Sequence, residues 1–176
     1  MPNWCKNNLR IKDNGEKTLE LLEYVKDEKG NFTMNKAVPM PKELEDTESP
    51  NTTSEEEKME LVEKYGSDNW YDWRCKNWGV KWDASDSGFW KDGDDWMISF
   101  NTPWGPPCEF MEKLSAQFPK MTFILQFADE GIGCYPLGQC TYIDGREYQE
   151  GPEEGTDDAE AFANSVWDEE WVNDYD

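Results

Sequence analysis

The sequence predicts an α+β fold with strands and helices in a split β-α-β-β-α-β order. Three observations carry that reading. Runs in which apolar and polar residues alternate recur near the N-terminus, in the middle and in the C-terminal third. Between them lie segments with apolar residues at helical spacing. Seven of the ten tryptophans fall between Trp70 and Trp104, so a folded aromatic core is specified in a chain of net charge -22.

The elements follow in order. Cys5, Leu9 and Ile11 alternate with polar neighbours, which predicts a first strand over residues 4 to 12. Asn14 reads as the N-cap of a helix to Asp27 with Leu19, Leu22 and Val25 on one face, and Gly30 lies beyond its end. Residues 31 to 53 read as irregular, broken by Val38-Pro39-Met40-Pro41 and Ser49-Pro50. Ser54-Glu55-Glu56-Glu57 matches a capping box for a helix to Tyr65, with Met59 and Val62 on one side and Gly66 as stop. After a tryptophan-rich turn, Val80, Trp82 and Ala84 alternate as a strand, and Trp96, Ile98 and Phe100 as another.

Pro106-Pro107 opens a helix carrying Phe110, Met111, Leu114 and Phe118, and Pro119 ends it. Met121, Phe123, Leu125 and Phe127 make the clearest strand. Asp144-Gly145 joins two further short strands as a hairpin. Setting aside an insertion at about 31–70, the order is the split βαβ arrangement of ferredoxin-like folds. The expected organisation is a domain over 1–150 followed by an acidic amphipathic segment over 151–176.

Composition narrows the function. A chain of 176 residues buries about two-thirds of its unfolded surface without disulfide or metal staples. With 39 acidic against 17 basic residues, phosphate backbones and anionic membranes are repelled, and a basic protein surface is the favoured partner. No histidine is present, which removes imidazole bases, Ser-His-Asp and Cys-His sites and imidazole-bound zinc. Five scattered cysteines without a C-x-x-C pair, and no apolar run of membrane length, predict reduced thiols in the cytoplasm. No catalytic constellation, metal set or cofactor fingerprint emerges, and the expectation is a non-enzymatic protein.

Pro2-Asn3-Trp4-Cys5-Lys6-Asn7-Asn8-Leu9, Asn77-Trp78-Gly79-Val80-Lys81-Trp82-Asp83 and Phe100-Asn101-Thr102-Pro103-Trp104-Gly105-Pro106-Pro107 stand in order along the chain. Leu114-Ser115 with Phe118-Pro119, and Glu130-Gly131, follow them. Together these segments resemble the YubB-type ferredoxin-like domain family of bacteriophages, plasmids and other mobile elements, over about residues 2 to 140. The resemblance implies a fold and a mobile-element origin; it implies no catalytic residues. The segment 45 to 70 departs from it as a variable insertion, and the acidic tail lies outside it.

Two candidate sites remain. Ala159, Phe162, Ala163, Val166, Trp167 and Trp171 form an amphipathic stripe capped by Thr156. Its carboxylates Asp157, Asp158, Glu160, Asp168, Glu169 and Glu170, with Trp167 and Trp171 as anchors, would bind a host protein such as an antiviral defence component, by filling a basic nucleic-acid channel. Deleting 151–176 is then expected to abolish partner binding without unfolding the domain. The same stripe is also what a helix docked on its own domain needs. The second site is a small-ligand pocket of Trp78, Lys81, Asp83, Trp104 and Glu130 that would hold a nucleotide or metabolite; the competing use of these indoles is core packing. Asp83 with Glu130 could also hold a metal, although 39 acids make accidental neighbours common.

Overall fold

Alternation along the first strand organises the molecule, described by a computed structural model over residues 2–168. β1 (Trp4–Ile11) turns Cys5, Leu9 and Ile11 to one face of the sheet and Asn8 to the other. It pairs antiparallel with β3 (Asp95–Pro103) on one side and with β4 (Phe123–Asp129) on the other. β2 (Ser85–Asp92) adds to β3, while β5 (Leu137–Ile143) and β6 (Arg146–Glu150) extend the sheet beyond β4. The strand order is β2-β3-β1-β4-β5-β6, antiparallel throughout. The first four strands thus have the ferredoxin-like arrangement that the sequence predicts.

One face carries the main core. α1 (Glu16–Tyr24) and α6 (Cys108–Gln117) bring Leu21, Leu22, Phe110, Met111 and Leu114 against Leu9, Ile98, Phe100, Phe123 and Leu125. Each such buried side chain contributes about 1.5–3 kcal/mol. In α1 the inward positions are Thr18, Leu21 and Leu22, followed by Val25, while Leu19 is exposed. This tighter stripe replaces the expected face of Leu19, Leu22 and Val25. Thr18 can join it because its hydroxyl accepts the backbone N–H of Asn14. Asn14 is therefore not the cap, and the helix starts at Glu16 after Gly15.

The segment expected to be irregular is a wall of the core. It holds α2 (Met34–Ala37) and α3 (Lys42–Glu45), and Met34, Val38, Met40 and Leu44 are buried. α4 (Glu55–Tyr65) has the expected capping box of Ser54 and Glu57 and ends on left-handed Gly66, and none of its residues is buried. The tryptophan-rich turn is instead α5 (Trp70–Trp78), capped by the Asn69 side chain on Asp72 N–H. Gly79 closes it in the left-handed region at φ 84°, where a Cβ would be strained and would crowd the Glu109 side chain and the Cys108 backbone N, 3.3 Å away at the start of α6.

The expected strand over Val80, Trp82 and Ala84 does not form; pairing begins at Ser85. Asp83 explains the difference. Its carboxylate accepts the N–H of Met34 at 2.7 Å, the hydroxyl of Thr33 at 2.6 Å and the N–H of Ala84 at 2.8 Å. It therefore caps α2 from across the chain and holds 80–84 as a link.

α7 (Asp157–Trp167) packs on part of the other sheet face, over β1, β4 and β5. Ala159, Ala163 and Val166 pack on Ala128 and Leu137, and Asn8 Nδ2 donates to Val166 O at 2.8 Å. Thr156 caps the helix by accepting Ala159 N–H. Among the described residues no helix is long and apolar enough to cross a membrane. The expected hairpin at Asp144-Gly145 joins β5 to β6 with φ values of 50° and 73°.

Two predictions follow from these contacts. Asp83→Ala removes charged hydrogen bonds of about 1.5–3 kcal/mol each, and urea unfolding is expected to show a loss of about 2 kcal/mol or more. At the β2–β3 turn, the Lys12 ammonium, then Asp13 N–H and Arg10, hold the Asp95 carboxyl below its ordinary value of 3.8 against the opposing effect of burial. A carboxyl depressed by folding stabilises above its unfolded pKa, and that stability is lost as pH falls through the folded value. Asp95→Asn should therefore lower Tm at neutral pH and narrow the gap to wild type below pH 3.8, read by thermal melts across pH.

Candidate functional site

The acidic surface is built by docking. Because α7 turns Ala159, Ala163 and Val166 onto the sheet, Asp157, Asp158, Glu160 and Asp168 are left exposed. None of these four carboxylates takes part in an ion pair with a described residue. Asp157, Asp158 and Glu160 lie in the first turn, where the helix dipole favours negative charge and lowers the cost of crowding them. Glu153 and Glu154 are exposed just before the cap, and Glu154 accepts the N–H of Tyr135.

Trp167 is not a free anchor. It is partly buried against the second core, and its indole N–H donates to Asp129 O at 3.1 Å. Glu169, Glu170 and Trp171 lie outside the described residues. The expectation that 151–176 can be removed at no cost also changes, since deletion would uncover Ala128 and Leu137 and leave Asn8 Nδ2 without Val166 O.

The second candidate site is divided by the fold. Trp78 is 1% exposed, donates to Val38 O at 2.9 Å and meets Trp73 edge-on, so it is core. Asp83 is occupied as the cap of α2. Lys81 and Trp104 do come together, joined by Trp82, which the sequence places on a strand. The Lys81 ammonium lies 4.0 Å from the Trp82 ring centroid and 3.9 Å from that of Trp104. Trp4 backs Trp82 at 6.4 Å. Exposed Glu130 adjoins this end through its backbone, whose N–H donates to Trp4 O.

A buried relay holds Trp104 in place. Asn7 Nδ2 donates to Thr102 Oγ1, which donates to Gly105 O at 2.6 Å, and Trp104 N–H donates to Asn3 O. Trp104 sits at φ 70°, a left-handed conformation that costs a bulky residue about 1–3 kcal/mol. Deeper in, Arg74 stacks between Trp70 and Trp78, with its Cζ 5.1 and 5.3 Å from their centroids. Burial pulls its pKa down, and Asp83 and Glu45 oppose that. Among the described residues no three or more Cys, Asp or Glu gather to hold a metal ion.

These elements and their order match known proteins. The sequence model described as the ferredoxin-like domain in Api92-like protein matches residues 77–170. The chain belongs to this Api92-like ferredoxin-like family. Among solved structures it is similar to the protein api92 from Yersinia pseudotuberculosis, with a TM-score of 0.53 and 12% identity over 87% of this chain and 99% of that one. At that identity the likeness shows the fold alone. No curated protein matches the sequence. The family span runs from the end of α5 through α7, so in this Api92-like chain the docked acidic helix lies within the family's domain.

The thiols divide by burial. Cys5 is fully buried, and burial, with Asp129 adding to it, pushes its pKa well up. Cys108 is also held high, first by its hydrogen bond with Cys140 and then by burial. Cys134 is exposed. An aromatic disulfide reagent such as DTNB is therefore expected to titrate Cys134 first in the native protein and to reach Cys5 only on unfolding. Mass spectrometry of the partly labelled protein checks the order.

Proposed function

We propose that this Api92-like protein is a non-enzymatic interaction protein of a phage or other mobile element, of the YubB type, acting in the bacterial cytoplasm. It binds a host protein with a basic surface through the acidic α7 edge, and by charge mimicry it blocks a groove that otherwise holds nucleic acid, as in an antiviral defence component. One observation supports this above the rest: the α7 stripe is used up in docking, so Asp157, Asp158, Glu160 and Asp168 are displayed without a counter-charge. From Met121 onward the sequence has fifteen acidic residues and one basic one, Arg146. Such a one-signed surface steers a basic partner and raises its association rate, more so at low salt.

A nucleotide-sized ligand at the indole end has less support, because Trp78 and Asp83 are committed to the core and to the α2 cap. The test is capture from bacterial lysate on the immobilised full-length protein. Capture should weaken steeply with salt, be displaced by duplex DNA, and fall at least tenfold for Asp157→Asn/Asp158→Asn/Glu160→Gln, which keeps the docked face. Undiminished capture by that variant would overturn the α7 assignment.

A further inference from the structure

We propose that the slot between Trp82 and Trp104 is a binding site for an alkylammonium cation, and that Lys81 fills it as an internal stand-in. The Lys81 ammonium lies at 4.0 and 3.9 Å from the two ring centroids, well inside the range of about 6 Å over which an indole face attracts a cation. Among the described residues this ammonium makes no hydrogen bond and no ion pair, in a chain with 39 acidic residues. What holds it is ring-face attraction alone, which another ammonium can supply equally well.

The slot is open and its walls are fixed. Trp82 and Trp104 are 38% and 48% exposed, so an incoming group needs no unfolding to reach them. Trp104 is held at φ 70° by its N–H on Asn3 O, with the Asn7–Thr102–Gly105 relay beneath it, and Trp82 rests on Trp4. Trp104 is the sole described aromatic in the left-handed region; the other two such non-glycine residues are aspartates, which tolerate it.

The chemistry selects a cation. Indole faces are the negative part of the ring quadrupole, and the net charge of -22 attracts cations and repels anions. The occupant is a lysine or methylated lysine side chain of the basic partner. Only this choice of source rests on the function proposed above. On binding, the incoming ammonium displaces Lys81 into solvent, so the internal lysine weakens the site by competition.

The probe is tetramethylammonium chloride, with tert-butanol as its uncharged counterpart, titrated into the full-length protein. The readout is the indole N–H NMR resonances of Trp82 and Trp104. Lys81→Ala should show saturable shifts in both, wild type should saturate about tenfold more weakly, and tert-butanol should leave both in place. Adding Trp104→Ala to Lys81→Ala should remove the Trp82 response. Lys81→Gln, which keeps the stem and loses the charge, repeats the comparison should the alanine variant fold poorly. Absence of saturable shifts in folded variants lacking the lysine, or equal shifts with tert-butanol, would overturn the site. Either result leaves the α7 assignment standing, since lysate capture by the charge-neutralised variant tests that surface separately.

Discussion

This sheet carries helices on both faces, and the rest of this molecule depends on how the cover on the second, mostly polar face is supplied. β1 shows the demand directly, since Leu9 and Ile11 enter the main core while Asn8 on the reverse face reaches Val166 O. Beside it Ala128 and Leu137 present apolar surface that α1 and α6 cannot reach, because both pack on the opposite face. α7 meets that demand with Ala159, Ala163 and Val166. Burying Val166 and Leu137 is worth about 1.5–3 kcal/mol each, and the Asn8 bond adds about 1 kcal/mol. Repulsion between neighbouring solvent-exposed carboxylates is smaller, about 0.2–0.5 kcal/mol per pair in the high dielectric of water. Packing therefore decides where the helix lies, and the carboxylates follow from it.

Local order was legible wherever one segment carried its own signal. The Ser54–Glu57 box, the Thr156 cap, the Asp144-Gly145 turn and the alternation of Phe123, Leu125 and Phe127 each specify an element within a few residues, and each element forms. Legibility failed where the deciding partner was distant in sequence. Asp83 caps a helix whose first N–H lies 49 residues earlier, so nothing near Val80-Lys81-Trp82 announces that the ladder must wait until Ser85. The short helices α2 and α3 suffer the same way: they have one turn each and are held by burial of Met34 and Leu44 in a core assembled from the rest of the chain.

The tryptophan-rich stretch differs from its expectation in kind, since a helix stands where a turn is expected. Trp70, Trp73 and Trp78 belong to one helix, in which Trp73 and Trp78 are buried and Trp70 packs half-buried against the core. Only after the helix stops at Gly79 do Trp82 and Trp104 become surface groups. Residue type alone could not separate the two uses of indole. The separating signal is the glycine, whose φ of 84° ends the helix and redirects the chain before the exposed pair.

Allocation of the few cations then gives the charge of -22 its shape. Arg10 and Lys12 are spent on Asp92 and Asp95 at the β2–β3 turn. Lys36 donates to the carbonyls of Glu23 and Lys26, and Lys76 to that of Gly66. Lys113 donates to the Asn77 side chain, while Arg74 and Lys81 face indoles. None of these seven reaches a carboxylate of α7. Acidic residues are spread along the whole chain, yet those from Met121 onward enter no ion pair among the described residues, since that stretch holds one basic residue, Arg146, and many of the others are engaged by carbonyls, rings and other acids. A negative field confined by such commitments persists when individual surface charges drift, and it is this field that the proposed basic partner would read.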